Sequence, residues 1–291
     1  MQRLGLVVHP KRPIDRPLEV LREWSSEHDV EMVQLEAGNH DREVAPFGEV
    51  DGCDLVAAIG GDGTVLTALR AASVHDTPVL GVACGSLGAL AAVTAKELSD
   101  ALDDYDAGSW RRRPIPALEV TVDGERAAWA LNDFVAVRRA GQQLACEITV
   151  GDELYARTAG DGVIVATALG SSAYSLAAGG PLLVLSAESI VVTPLANHGG
   201  SVPPLVVPPG IDLRIDAYPG FGGFDVEIDG QTSDIQGKRF ELRLEPDRAT
   251  LVGVGEPGLG LTPLRRRGLI ADSPRMVARG ARARDDGGQQ P

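Results

Sequence analysis

The segment Gly60-Gly61-Asp62-Gly63-Thr64 follows an apolar run at residues 55–59 and leads into a helix-like stretch from Val65 to Ala72. A buried strand that ends in a glycine turn ahead of a helix aims backbone N–H groups and the positive end of the helix dipole at one spot, where a phosphate is stabilised. The glycines let the phosphate come close. Asp62 is out of place in such a nest unless it has a task, such as taking a proton from an attacking hydroxyl or holding a metal ion. Thr64 is spaced to cap the helix. A plain turn, in which Asp62 caps the helix and the glycines supply positive φ, accounts for the same residues. No Lys follows the glycines, which excludes a Walker A loop, and the spacing is not that of a G-x-G-x-x-G fingerprint.

A second cluster begins at Gly160-Asp161-Gly162, passes Thr167 and Gly170-Ser171-Ser172-Ala173-Tyr174-Ser175, and ends at Gly179-Gly180-Pro181. A strand that delivers into a small, hydroxyl-rich loop suits hydrogen bonding to ribose or amide groups, and Tyr174 adds a flat face with a polar tip. A β-hairpin with Ser as turn residues fits the same composition. Elsewhere chemistry is thin. His9, His28, His40, His75 and His198 lack metal-ligand spacing, and no Gly-x-Ser-x-Gly elbow marks a hydrolase. Trp24, Trp110 and Trp129 read as packing residues, and Arg265-Arg266-Arg267 as a solvated face or a salt-bridged terminus.

The elements that must hold these clusters change character along the chain. Up to about residue 106, β-branched runs at 4–8, 30–34, 55–59 and 78–82 alternate with helix-like stretches at 17–27, 65–72 and 98–104. Residues 108–116, with Arg111-Arg112-Arg113-Pro114 and a second proline, read as a linker. Beyond them, Asp123-Gly124, Gly151-Asp152 and Asp229-Gly230 are tight-turn signals between short alternating runs. The expected fold class is an α/β N-terminal domain with a mainly parallel sheet over residues 1–108, then a mainly β, sandwich-like domain over 109–270. Residues 271–291 are expected to form a disordered tail, because the end of the chain lacks periodic large apolar residues.

Composition narrows the function. The 291 residues are 44% hydrophobic, which rules out disorder throughout, and the net charge of −14 repels nucleic acid and anionic lipid surfaces. No apolar run reaches the ~18 residues of a membrane span, and Met1 to Val8 runs straight into His9-Pro10-Lys11-Arg12 without a signal-peptide pattern. A cytoplasmic protein is expected. Cys53, Cys84 and Cys146 have no C-x-x-C pairing, so neither a disulfide framework nor a cysteine zinc site is expected, only buried small residues.

The order of the motifs resembles the NAD kinase family. The resemblance rests on GGDGTVL at residues 60–66, Asn132-Asp133-Phe134 where the family has Asn-Glu, and DGVIVATALGSSAYSLAAGGPL at residues 161–182. Thr193-Pro194, the run from Pro204 to Pro208, and Asp229-Gly230-Gln231 follow in the family's order, so the match extends over roughly residues 1 to 270. It implies a two-domain kinase that transfers the γ-phosphoryl of ATP, or in some members of polyphosphate, to the 2′-hydroxyl of the adenosine ribose of NAD. Mg²⁺ or another divalent metal would accompany ATP, with no residue assigned as its ligand. The family's base maps onto Asp62 and its phosphate-binding glycines onto Gly60, Gly61 and Gly63. The dinucleotide-reading pair maps onto Asn132 and Asp133, the aspartate of the second block onto Asp161, and the pocket-lining residues onto Ser172, Ala173 and Tyr174. Homodimers or homotetramers are also implied.

The chain departs from the family pattern where substrate would touch. Ala83 and Ala89 replace an Asn and a Phe, Asp133 is one methylene shorter than Glu, Leu169 stands in a loop that lacks the family's Pro and second Thr, and Pro203 replaces an Arg. A lost substrate contact typically costs about 1–3 kcal/mol. Two rival expectations therefore stand beside NAD kinase: a paralogue that phosphorylates another nucleotide or a lipid, and an inactive dinucleotide-binding regulator.

Overall fold

In the first hundred residues, β1 (Arg3–Val8), β2 (Glu31–Leu35), β3 (Phe47–Gly48), β4 (Leu55–Gly60) and β5 (Val79–Ala83) pair in parallel in the spatial order β5-β4-β1-β2-β3. Every residue of β4 and β5 is buried, as expected of parallel strands covered on both faces. On one face, Leu18, Leu21 and Trp24 of α1 (Asp15–Glu27) and Leu98 and Leu102 of α3 (Leu98–Asp106) pack with Leu6, Leu55, Ile59 and Leu80. On the other, Val65, Ala68 and Leu69 of α2 (Asp62–Ala72) pack with Val7, Val56, Ala58 and Val79. Strand order reverses at β1, which lies between β2 and β4. In open α/β sheets ligands bind outside the carboxyl ends of the strands at such a point, which here is where the loops after β1 and β4 emerge.

The chain from Arg111 to Gly253 is mainly antiparallel. Its strands are β6 (Arg111–Val122), β7 (Glu125–Ala130), β8 (Asp133–Arg138), β9 (Leu144–Val150), β10 (Glu153–Gly160), β11 (Gly162–Ala166), β12 (Ile190–Leu195), β13 (Leu205–Val207), β14 (Leu213–Pro219), β15 (Phe224–Ile228), β16 (Gln231–Ser233) and β17 (Arg239–Gly253). One sheet runs β13-β12-β11-β8-β15-β16, and its inward residues Phe134, Val163, Val165 and Val192 meet Leu118, Val120, Ile148, Ile215 and Phe240 of the other sheet. This is the sandwich-like core that the alternation implied. The Asp123-Gly124 turn takes φ of 51° and 87°, and Asp229-Gly230 takes 52° and 75°, the paired positive values of a tight hairpin. All three cysteines are free and buried.

Residues 111–116 are not a linker. They are the first half of β6, whose residues Arg111 to Ile115 run antiparallel to Ala249–Gly253 of β17. Over that stretch β17 is the partner of β6 among the described residues, since β7 pairs only with positions 118–122. The missing N–H of Pro114 can therefore face away from the ladder. The end of β17 also runs parallel to β5, through Leu251 opposite Val79, so parallel and antiparallel strands join in one eleven-stranded sheet.

The computed structural model describes residues 1–37, 42–85, 87–91, 93–139, 141–253, 261–266 and 268–276. The described residues after Gly253 belong to a separate unit and include a short helix, Leu261–Arg266, whose Arg265 pairs with Asp272 beyond it. Most of the expected tail, residues 277–291, lies outside the described residues. Among the described residues no helix is long and apolar enough to cross a membrane.

Gly81 shows how tightly β5 meets the chain that follows it. A Cβ there would stand 2.3 Å from the carbonyl oxygen of Leu90 and 3.1 Å from Cα of Ala91. Gly81→Ala must push backbone against backbone, and we expect it to cost about 1–3 kcal/mol, read as a lower urea midpoint.

Candidate active site

The glycine segment opens α2 earlier than its apolar pattern suggests. Gly60 ends β4, Gly61 is the N-cap with φ of −116°, and the helix begins at Asp62 rather than Val65. Gly60, Gly61 and Gly63 have no positive φ; space accounts for Gly60 and Gly61, whereas a Cβ on Gly63 would meet nothing within 4 Å. A Cβ on Gly60 would stand 2.1 Å from Oγ1 of Thr64, and one on Gly61 3.0 Å from a guanidinium nitrogen of Arg12. Thr64 thus packs back on Gly60 and does not cap the helix. Among the described residues no side chain caps the N-terminus of α2, which keeps that turn suited to an external anion.

Asp62 does not cap its own helix either. Its carboxylate accepts hydrogen bonds from the N–H groups of Ala89 (3.2 Å), Leu90 (3.0 Å) and Ala91 (3.2 Å). A Cβ on Gly88 would stand 2.0 Å from its Oδ1, so only glycine admits this approach. Arg113 of β6 donates to the carbonyl oxygen of Ala89 (3.1 Å) and steadies the same loop. The departure at Ala89 leaves this contact whole, because the backbone makes it. At the departure at Ala83, the residue sits at the end of β5 opposite Gly60.

Beside Gly61 lies a cluster of cations that the sequence patterns did not single out. Arg12 Nη1 is 3.5 Å from the carbonyl oxygen of Cys84, Arg42 donates to the carbonyl oxygen of Arg12 (2.7 Å), and His9 Nδ1 accepts the N–H groups of Lys11 and Arg12. Burial, then the charges of Arg12, Arg42 and Lys11, hold His9 below its usual range. The available signal was a Lys-Arg pair directly after a strand in an acidic chain.

The second group is built around Asp229, whose side chain is fully buried. It accepts the N–H groups of Leu131 (3.0 Å), Asn132 and Asp133 (3.1 Å), while its own N–H donates to the carbonyl oxygen of Asp133 (2.8 Å). Arg70 in the last turn of α2 reaches Asp229 Oδ2 with Nε (2.8 Å) and Nη2 (2.7 Å). Thr167, also buried, donates from Oγ1 to the carbonyl oxygen of Leu131 (2.6 Å) and from N–H to that of Asn132 (2.8 Å). Gly170 packs so close that a Cβ would stand 2.0 Å from the carbonyl oxygen of Asn132. The hydroxyl-rich loop is not a simple hairpin turn. It forms a 3-10 turn, Gly170–Ser172, and a short helix, Tyr174–Ala177, with Ser171 Oγ donating to Ala168 and Ser172 Oγ to Leu169.

Electrostatics place several expected residues together. Tyr174 is raised above its usual range by burial and then by the carboxylates of Glu227, Asp161 and Asp133. Asp161 pairs with Arg138, and Ala173 is exposed beside Tyr174 with its N–H on the carbonyl oxygen of Gly170 (2.9 Å). Asp133, only 3% exposed, is pushed up to about 7 by burial and by the charges of Asp229 and Glu227, with Arg70 opposing. Asp62 and the glycines belong to the first group and Asn132, Asp133, Asp161, Ser172, Ala173 and Tyr174 to the second. Helix α2 links them, carrying Asp62 at one end and Arg70 at the other. Arg12, Arg70, Glu227 and the clamping role of Asp229 were not evident from sequence.

Known proteins resemble this chain over most of its length. The family model of the ATP-NAD kinase N-terminal domain matches residues 4–109 and that of the ATP-NAD kinase C-terminal domain matches residues 131–234. The NAD kinase of Heliobacterium modesticaldum is 32% identical over 270 residues, covering 88% of this chain and 95% of its own. That of Haloarcula marismortui is 33% identical over 234 residues, covering 76% and 79%. Among solved structures, yeast NADH kinase complexed with NADH superposes with a TM-score of 0.78 at 22% identity, covering 94% of this chain and 89% of that one. An NAD kinase from Archaeoglobus fulgidus in complex with ATP gives 0.74 at 19% identity, covering 93% and 100%, and both likenesses show the same fold. The chain is thus an enzyme of the kinase class. It belongs to the NAD kinase family.

Asp133 gives the site a pH signature. Its carboxyl holds a proton more tightly in the fold, near 7, than its ordinary value of 3.8 allows once unfolded, so its contribution to stability falls as pH rises across that window. We expect the unfolding free energy to drop by on the order of a few kcal/mol between those limits. Urea titrations at a series of pH values should show the slope in the wild type and its loss in Asp133→Asn.

Proposed function

We propose that the chain transfers the γ-phosphoryl group of ATP, or of polyphosphate, to the 2′-hydroxyl of the adenosine ribose of NAD, giving NADP. The observation that carries this reading is the placement of one carboxylate, Asp62, at the first residue of a helix whose first turn no side chain caps among the described residues. Gly60, Gly61, Gly63 and Thr64 form the turn that admits donor phosphates to the N–H groups, and Arg12 supplies positive charge beside Gly61. Asn132 and Asp133 read the ribose hydroxyls, while Asp161, Ser172, Ala173 and Tyr174 line the rest of the dinucleotide pocket.

In the reaction, the ribose oxygen forms a bond to the γ-phosphorus as the bond to the bridging oxygen of ADP breaks. Asp62 accepts the hydroxyl proton, its carboxylate oriented by the three N–H donors of residues 89–91. Phosphoryl transfer asks the protein mainly for positioning and charge neutralisation, and a triad is not needed. Among the described residues there is no group of three or more His, Cys, Asp or Glu that could hold a metal ion. A Mg²⁺ ion accompanying the nucleotide would neutralise phosphate charge. We further propose two functional domains, residues 1–108 and 109–270, in a cytoplasmic homodimer or homotetramer.

Incubation with Mg²⁺, ATP and NAD, with NADP read by a coupled dehydrogenase, tests the proposal. Asp62→Asn should lower kcat by about 10²- to 10⁴-fold. Arg12→Ala should raise KM for ATP about tenfold, the loss of one charge-assisted contact, and leave KM for NAD near its starting value. A wild type that makes no NADP with ATP or polyphosphate would refute the kinase reading.

A further inference from the structure

Arg70 ties the helix of Asp62, through hydrogen bonds to Asp229, to the turn of Asn132 and Asp133. Its guanidinium makes three contacts with Asp229: Nε to Oδ2 (2.8 Å), Nη2 to Oδ2 (2.7 Å) and Nη2 to the carbonyl oxygen (3.3 Å). Asp229 in turn accepts the N–H groups of residues 131–133. Two guanidinium nitrogens held on one residue, Nε on the carboxylate and Nη2 also on the backbone carbonyl, fix direction as well as distance, which a lysine's single nitrogen does not.

We infer that Arg70 is a positioning residue for dinucleotide binding: through Asp229 it sets the Asn132-Asp133 turn against α2, and its charge offsets the carboxylates gathered there. This inference rests on the reading of Asn132 and Asp133 as the ribose-binding pair. The charged and titratable groups facing Asp133 are Asp229 and Glu227 from the β15 hairpin, Tyr174 from the short helix after β11, and Arg70 from α2. Arg70 is the cation among them, and it holds the Asp133 carboxyl lower than its neighbours would leave it. An ion pair that only stabilised the fold would lower the melting temperature without discriminating between substrates or moving a titration.

Arg70→Lys keeps the charge and loses the fork; Arg70→Gln keeps N–H donors and loses the charge. For each, KM for NAD and ATP, the acid limb of kcat/KM for NAD, and NAD binding by calorimetry across pH separate the two contributions. Both variants should weaken NAD about tenfold, with ATP changed less than about twofold. The acid limb should stay in place in Arg70→Lys and move up by about one pH unit in Arg70→Gln. The inference is overturned if NAD affinity and the limb match wild type in both, or if NAD and ATP weaken equally with an unmoved limb. Should Arg70→Gln not fold, the split between NAD and ATP in Arg70→Lys decides. A wild type that binds NAD but makes no NADP defeats the kinase reading alone, because calorimetry needs no turnover. One that binds no NAD overturns both.

Discussion

A fully buried carboxylate must be surrounded by donors or be neutralised, and Asp229 is surrounded. Three backbone N–H groups and the Arg70 guanidinium converge on it, from the chain ahead of β8 and from the end of α2. Bonds to a charged group are worth about 1.5–3 kcal/mol each, and leaving such a charge unpaired costs about 3–5 kcal/mol. The arrangement is therefore all or nothing: the hairpin, the Asn132-Asp133 turn and the helix hold their places together. Because Thr167 and Gly170 pack on that turn, the hydroxyl-rich loop inherits its position as well.

The two carboxylates that we propose for substrate chemistry live in opposite environments. Asp62 is partly exposed and met by three N–H donors at the end of a parallel sheet. Asp133 is buried among other carboxylates and is consequently reluctant to ionise. Two acids held in such unlike surroundings suit the unlike roles we propose for them.

Much of this was legible in the sequence where local pattern and local structure coincide. The βαβ rhythm gave the parallel strands, the Asp-Gly turns gave hairpins, and the glycine segment and the 161–182 block marked the two groups that we propose for substrate chemistry. What stayed hidden depends on distant partners. Arg70 in an otherwise small and apolar helix reads as a solvated charge until its partner, 159 residues away, is folded against it. Thr64 is a good capping residue by type, but Gly60 leaves a space that its side chain fills. Residues 111–116 carry prolines and arginines that suggest a linker, and only the return of β17 makes them a strand.

That return has a temporal side. The parallel sheet needs β17 to cover β5, and β17 ends at Gly253, so during synthesis the first hundred residues emerge with the β5 edge bare. A segment that leaves the ribosome early waits for one that leaves late, and the two halves gain their full protection in a single step. Proteolytic nicks anywhere between them should loosen both.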